Sequence, residues 1–478
     1  MQTYKQELIT FLIKTGALSV FDSPENDRSL KSKRLSPWFV NMGEFNDGES
    51  TSVLGNVYAG AIADSEINFD SLYGIPEKGV ALAIATSIGL ISRGVNAPWF
   101  FTRKDEKTHG EASNLPSNER AKKLIVGRVP KQGDNIIQLD DVFTAGDAKY
   151  EARTELESFG KFNYPLLVIA VDRQEVGTNA SGISAIDEYE SKTGTKVISV
   201  VTASDVYTYL KERTLISPRS LERLENYLRV YGNKKLKETV GKLEQTIIGR
   251  NRSVIPACDV SSIEEFDRLV EQTSVIDGVG AYKVGFGLGL RYGLPKVVEV
   301  ARKHTDKPII YDHQKAATDI PDTGRDFAEL NKEAGVDAVI LFPQAGPETE
   351  RAWIYHALDN RLKVIVGGRM THPAYAVSEG GFITDEGALD IYRIAASIGV
   401  RDFVVPGNKP DVIRQVKETV ESEGVINPRF YAPGFITQGG KISDAALAAG
   451  EYFHGIVGRG IYQSGDVRDA TLEHCSQL

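Results

Sequence analysis

Cysteine is almost missing from this chain: Cys258 and Cys475 are the only two in 478 residues, and they stand far apart. That excludes a disulfide-stapled scaffold and suits a reducing compartment. No run approaches the roughly eighteen apolar residues of a membrane-spanning helix, and the opening Met1–Leu8 stretch lacks the apolar core of a secretion signal. The expected location is therefore the cytoplasm. Positive charge is not in excess either. Lys and Arg number 56 against 65 Asp and Glu, a net charge of −9, so the basic footprint that nucleic acid or an anionic membrane demands is lacking. Small anionic substrates stay open, because they need only local cations. What is present is core: 41% of residues are hydrophobic and 25% charged, as in a globular protein, and the length exceeds one ordinary domain.

Three segments of the first 205 or so residues read as buried strands bounded by Gly, Asp and Pro: Val80–Ala85, Ile136–Leu139 and Leu166–Val171. Helical stretches between them predict an α/β domain with a parallel sheet. Residues 216–250 change character. Leu221, Leu224, Leu228 and Tyr231 follow one helical face, and Leu236, Val240, Leu243 and Ile247 another, broken at Gly232. They join two domains or cap one of them. From residue 251 short apolar strands alternate with helices: Val254–Cys258, Ala281–Val284, Pro308–Tyr311, Ala338–Phe342, Lys363–Val366, Phe403–Val405, Arg429–Ala432 and Gly455–Val457. A helical stripe, Ile263, Phe266, Leu269 and Val270, follows the first. Eight such units predict a (β/α)₈ barrel with its site at the C-terminal strand ends. The predicted organisation is 1–215, a helical linker 216–250, and the barrel 251–478.

Two segments carry chemistry. Tyr311–Thr323, after the third barrel strand, crowds Asp312, Lys315 and Asp319 together, as suits an enzyme that repels one anion and delivers one proton; a solvated turn with an ion pair is the bland alternative. In the first half, Ile136–Ala148 reads strand, Asp140, Asp141, a turn with Thr144 and Gly146, then helix. Such a turn offers backbone N–H groups and a helix N-terminus to a phosphate, and the adjacent acids can hold ribose hydroxyls or a hydrated Mg²⁺.

That segment resembles the phosphoribosyl diphosphate motif of type I phosphoribosyltransferases, apart from the polar Gln138 within its strand. Phe101–Glu111 looks like the mobile loop of orotate phosphoribosyltransferase, Leu30–Asn41 like its orotate-side segment, Gly74–Gly79 like its second pyrophosphate loop, and Val171–Glu175 like its strand-end arginine. The resemblance, over roughly residues 5–210, implies that Lys31, Phe39, Thr144 and Arg173 contact orotate. It implies that Lys78, Arg103, Lys104, Lys107 and His109 contact the pyrophosphate, with Lys107 and His109 catalytic. Asp140 and Asp141 would lie at the ribose and the Mg²⁺. Concentrated cations suit a leaving group that gains negative charge.

The barrel resembles orotidine 5′-phosphate decarboxylase. Asp259 follows strand one, Lys283 sits on strand two, Thr371 follows strand five, Pro433–Gly440 strand seven, and Gly458 and Arg459 strand eight. Loops after strands seven and eight commonly grip phosphate. Gln438 and the backbone of Gly439, Gly440 and Gly458 would hold the oxygens, with Arg459 as the charged fork. Lys315 is implied as general acid, Asp312 as the carboxylate beside the departing CO₂, and Asp319 and Lys283 as supports of the charge array, with no cofactor. Asp319 and Thr323 would serve a neighbouring subunit of a homodimer. His313 reads as a residue that supports the site from behind or packs, rather than as a catalyst.

The family pattern is Asp-x-Lys-x-x-Asp, whereas this chain spaces Asp312, Lys315 and Asp319 more widely. In a strand, residues three apart point oppositely, so the chain must leave the strand after Asp312. One helical turn would then align Lys315 with Asp319. The two resemblances together imply a bifunctional enzyme of the uridine 5′-monophosphate synthase type, acting on orotate, phosphoribosyl diphosphate and orotidine 5′-phosphate. The competing readings are a phosphosugar-acid decarboxylase barrel, or a nucleotide sensor fused to an inactive barrel.

Overall fold

The computed structural model describes residues 1–103, 123–143, 147–178, 182–243, 245–313, 316–435 and 439–478. Lys104, Lys107, His109, Thr144, Gly146, Lys315 and Gln438 lie outside the described residues. The chain divides into two compact units, the first made of Met1–Gly177, Ser181–Leu228 and Gly232–Val240, the second mainly of Gly241–Leu478.

The first unit opens with two small antiparallel pairs, β1 (Leu18–Val20) with β4 (Trp38–Val40) and β2 (Arg28–Ser29) with β3 (Leu35–Ser36). Its main sheet holds β5 (Ser71–Gly74), β6 (Trp99–Thr102), β7 (Ile125–Gly127), β8 (Asn135–Leu139), β9 (Asn163–Asp172) and β10 (Lys196–Thr202), in the order β10-β9-β8-β5-β6-β7. All pairs are parallel except β6 with β7. The central strands β8 and β9 are buried along nearly their whole length, as expected of a sheet covered on both faces.

Val80–Ala85 is not a strand but part of the helix Gly79–Ile91. Its residues are small and apolar on most faces because it packs almost backbone to backbone on the helix Gly48–Asp64. A Cβ on Gly55 would stand 2.3 Å from the Ala85 carbonyl oxygen, and one on Gly89 2.4 Å from that of Gly55. A helix buried on several sides loses its 3.6-residue signature and imitates a buried strand.

The stretch 216–250 holds a helix Pro218–Tyr231, capped by Ser217, and a second helix Lys234–Val240. Leu243 and Ile247 are buried but do not extend that second helix, because Gly241, at φ +89°, turns the chain out of helical geometry. Arg223 grips Asp27 through both oxygens, at 3.0 and 2.9 Å, with neither side chain exposed beyond 1%. That pair anchors Pro218–Leu228 in the first unit.

The second unit is a ring of eight parallel strands: β11 (Arg252–Pro256), β12 (Tyr282–Gly285), β13 (Ile309–Asp312), β14 (Ala338–Leu341), β15 (Lys363–Gly367), β16 (Asp402–Val404), β17 (Arg429–Ala432) and β18 (Phe453–Val457). It closes where Cys258 N donates to Lys283 O at 2.8 Å and Val254 N to Gly278 O at 3.0 Å. Inward positions recur at the two-residue period of a strand and fill the interior with Ile255, Ala257, Ala281, Ile310, Ala338, Ile340, Ile365, Val404, Tyr431 and Ile456. By the same parity Lys283 and Asp312, one step beyond Ala281 and Ile310, face inward at the mouth. All eight predicted strands are present within two residues of their expected bounds.

Ile247 and Ile248 close the other end of the ring, and Gln245 latches them there. Its Nε2 donates to Val364 O at 2.9 Å and Asp402 Oδ2 at 3.0 Å, and its Oε1 accepts from Val364 N at 3.2 Å. Asp402 is fully buried, and burial pushes its carboxyl up to about 6 despite the nearby Arg429. Gln245→Ala would strand buried polar groups on both partners and should destabilise this unit by about 1–3 kcal/mol in urea unfolding.

Candidate active sites

In the first unit, β8 ends on two buried acids with different partners. Asp140 Oδ2 lies 2.5 Å from Lys149 Nζ, and Asp140 Oδ1 accepts from Asp141 N at 2.9 Å. Asp141 Oδ2 takes a 2.6 Å bond from Lys78 Nζ, and its Oδ1 accepts from Val142 N at 2.8 Å. Burial raises the Asp140 carboxyl above its ordinary value, with Lys149 pulling the other way.

Lys78 directly precedes the helix Gly79–Ile91, whose N-terminus no side chain caps. Gly79 is required there, since a Cβ would stand 2.3 Å from Leu139 O. Gly79 N itself donates to Ile75 O at 3.0 Å, and a helix start without a side-chain cap beside a lysine forms an anion-receptive corner. Arg103, exposed beyond the end of β6, donates its backbone N to Leu124 O at 2.9 Å.

At the end of β9, Arg173 lies over the Trp38 ring at 4.0 Å, donates to Ser36 Oγ at 2.9 Å and pairs with Glu175 at 2.7 Å. Glu175 also accepts from Tyr227 OH at 2.9 Å and from Arg34 at 3.3 Å, and Arg34 further donates to Val176 O and Gly177 O. A planar cation fixed on an indole suits an anionic aromatic ring. Phe39, half-buried, adjoins Trp38 on β4, while Lys31 is exposed at the tip of the β2–β3 hairpin. Arg34, Glu175, Tyr227 and Lys149 were not foreseen. Arg34 and Glu175 stand inside segments already singled out, but a buried lysine on a helix such as Lys149 leaves no sequence signal.

In the second unit Lys283, 5% exposed, stands between two carboxylates, 3.4 Å from both Asp259 oxygens and 3.3 Å from Asp312 Oδ2. Burial alone would lower its pKa, but Asp312 and Asp259 outweigh it and hold the ammonium above the ordinary lysine value. Gly285 leaves room for Asp259: a Cβ there would stand 2.5 Å from Asp259 Oδ1. Burial also raises the neighbouring Cys258 thiol and the Tyr462 phenol, each with Asp259 adding to the effect.

The strand ends at Asp312, as the widened spacing requires. The expected helical turn toward Asp319 does not form: Ala317 has φ +71°, the left-handed region that a right-handed helix excludes, and the next helix begins only at Thr323. Asp319 is exposed, its Oδ1 accepting from Ile320 N at 2.7 Å, and Thr323 donates to Ile320 O at 2.8 Å. His313 bonds Tyr311 OH through Nδ1 at 2.6 Å, and its ring packs against Phe327.

After β15, Thr371 is half-buried and its carbonyl accepts from Asn408 Nδ2 at 3.0 Å. After β17, Pro433 is half-buried, Gly439 takes φ +82°, and Gly440 N donates to Gly434 O at 3.2 Å. Gly458 leads into the short helix Arg459–Tyr462, and the exposed Arg459 guanidinium has no ion pair among the described residues.

Over 233 residues the chain is 36% identical to the orotate phosphoribosyltransferase of Vibrio atlanticus (strain LGP32), which covers 48% of this chain and 100% of that protein. The orotate phosphoribosyltransferase of Pseudomonas fluorescens (strain SBW25) is 38% identical over 213 residues, 44% of this chain and 91% of that protein. Residues 252–473 match the family described as Orotidine 5′-phosphate decarboxylase / HUMPS family. A solved Methanocaldococcus jannaschii orotidine 5′-monophosphate decarboxylase complexed with inhibitor BMP is 28% identical, with a TM-score of 0.42, over 48% of this chain and 99% of that one. The chain therefore belongs to the orotate phosphoribosyltransferase family and continues into an orotidine 5′-phosphate decarboxylase / HUMPS family domain, so that two enzymes of pyrimidine biosynthesis are fused in one polypeptide.

Proposed function

We propose that the first unit joins orotate to phosphoribosyl diphosphate and that the barrel decarboxylates the product, orotidine 5′-phosphate, to uridine 5′-monophosphate. The observation that carries the reading is the buried cation of Lys283 held between Asp259 and Asp312 at the mouth of an eight-stranded barrel. In the first step the orotate ring nitrogen bonds to ribose C1 as the bond from C1 to diphosphate breaks. Arg173, Lys31, Phe39 and Thr144 orient orotate. Lys78, Arg103, Lys104, Lys107 and His109 neutralise the leaving diphosphate. Asp140 and Asp141 are the residues that would hold a Mg²⁺ ion, which would supply neutralising charge to the diphosphate.

In the second step the bond from the pyrimidine ring to the carboxyl group breaks, CO₂ leaves, and the ring carbon takes a proton. Gln438, Gly439, Gly458 and Arg459 hold the phosphate, with Thr371 and Pro433 lining the site. Two carboxylates stabilise the proton on Lys283, which makes it a poor donor and a good fixed charge. Proton delivery falls to Lys315. Asp319 and Thr323 serve the partner site of a homodimer, supported by the exposed apolar side chains of Ile320 in their loop and Leu330 on the helix that follows it. The stretch 216–250 connects a transferase module, 1–215, to the barrel module, 251–478. Two free cysteines fit a cytoplasmic enzyme; among the described residues no helix is long and apolar enough to cross a membrane.

The test is the purified full chain supplied with orotate, phosphoribosyl diphosphate and Mg²⁺. Uridine monophosphate and CO₂ should form in equal amounts. Orotidine phosphate that accumulates without CO₂ would sink the barrel assignment alone, and absence of diphosphate release would sink the transferase.

A further inference from the structure

The two adjacent acids at the exit of β8 have unlike surroundings. Asp140 is satisfied from within the protein: Lys149 Nζ at 2.5 Å on Oδ2, Asp141 N at 2.9 Å on Oδ1, and Tyr58 OH at 2.7 Å on its carbonyl. Lys149, 5% exposed on the helix Asp147–Glu157, also donates to Val142 O at 2.7 Å and stands 5.4 Å from the Phe143 ring centre. One buried ammonium thus ties a helix to the strand exit at residues 140, 142 and 143. Asp141 has a different partner, Lys78, whose side chain is 63% exposed. An exposed lysine is drawn aside at small cost, whereas breaking a buried pair leaves an uncompensated charge.

We propose that Lys149 is a positioning residue of the transferase site, holding Asp140 inside the protein so that Asp141 is the carboxylate presented to the ribose hydroxyls of phosphoribosyl diphosphate. The proposal rests on the transferase reading above and divides a labour that the pair of acids would otherwise share. A lysine that merely braced the fold would affect both substrates alike.

Steady-state kinetics of the full chain separate the two. Lys149→Met should raise KM for phosphoribosyl diphosphate roughly tenfold or more, as loss of a group that orients a ligand-binding side chain commonly does, and leave KM for orotate within about twofold. Asp141→Asn should raise KM for phosphoribosyl diphosphate at least about tenfold more than Asp140→Asn does. Equal rises in both KM values, or no rise in a variant that still unfolds cooperatively, would overturn the proposal. If Lys149→Met does not fold, the Asp140→Asn and Asp141→Asn pair decides: equal damage from the two overturns it. A wild-type protein that forms no orotidine phosphate would instead refute the transferase reading itself.

Discussion

Lys283→Met is expected to cut decarboxylation of supplied orotidine 5′-phosphate about a thousandfold or more, while leaving its formation from orotate unchanged. Lys283 lies 3.3 Å from Asp312 and 3.4 Å from Asp259. At such separations a charge pair is worth about 4 kcal/mol at an effective dielectric of 20, and a thousandfold in rate corresponds to about 4 kcal/mol. Methionine keeps the apolar stem and removes the charge. The half-buried carboxylate of Asp312 and the exposed one of Asp259 would then face each other without the cation between them, and the fixed array would lose the net charge that the site presents to its substrate. Production of CO₂ from added orotidine phosphate reads the second step alone, and diphosphate release from the same preparation shows that the first unit is intact. Decarboxylation within tenfold of the wild type, in a variant that still unfolds cooperatively, would mean that this triad is not the working site.

The barrel was legible because each strand is short, apolar and followed by a helical segment, a rhythm that survives without any tertiary information. Val80–Ala85 was misread because Gly55 and Gly89 let two helices touch backbone to backbone, and nothing in the local pattern records that neighbour. In the sites, strand-end residues were readable and helix-borne ones were not. Asp140, Asp141, Arg173 and Asp259 follow strand ends and Lys283 lies within a predicted strand, whereas Lys149 sits on a helix and is defined only by what it reaches. The spacing after Asp312 correctly required the chain to leave the strand, but it could not reveal that Ala317 would turn left-handed rather than helical. Beside that turn, Phe342 N, far along the chain, donates to Ala316 O at 2.8 Å, a contact no local pattern records.

Lys315→Ala should remove decarboxylation as well, by roughly 10²–10⁴-fold from the loss of a general acid alone, yet by a different kinetic route. With the Asp259–Lys283–Asp312 array untouched, orotidine phosphate should still bind, so that kcat falls and KM changes little, whereas Lys283→Met should disturb both. The neighbours of position 315 are secured in the barrel. Asp312 ends β13 in contact with Lys283, His313 bonds Tyr311, and the Ala316 carbonyl is bonded from Phe342. The described residues on either side of Lys315 are therefore held to the barrel. A Lys315→Ala variant that decarboxylates at the wild-type rate would refute this route. The proton would then have to come from a group such as Lys283, and the two carboxylates that stabilise the Lys283 ammonium oppose that transfer.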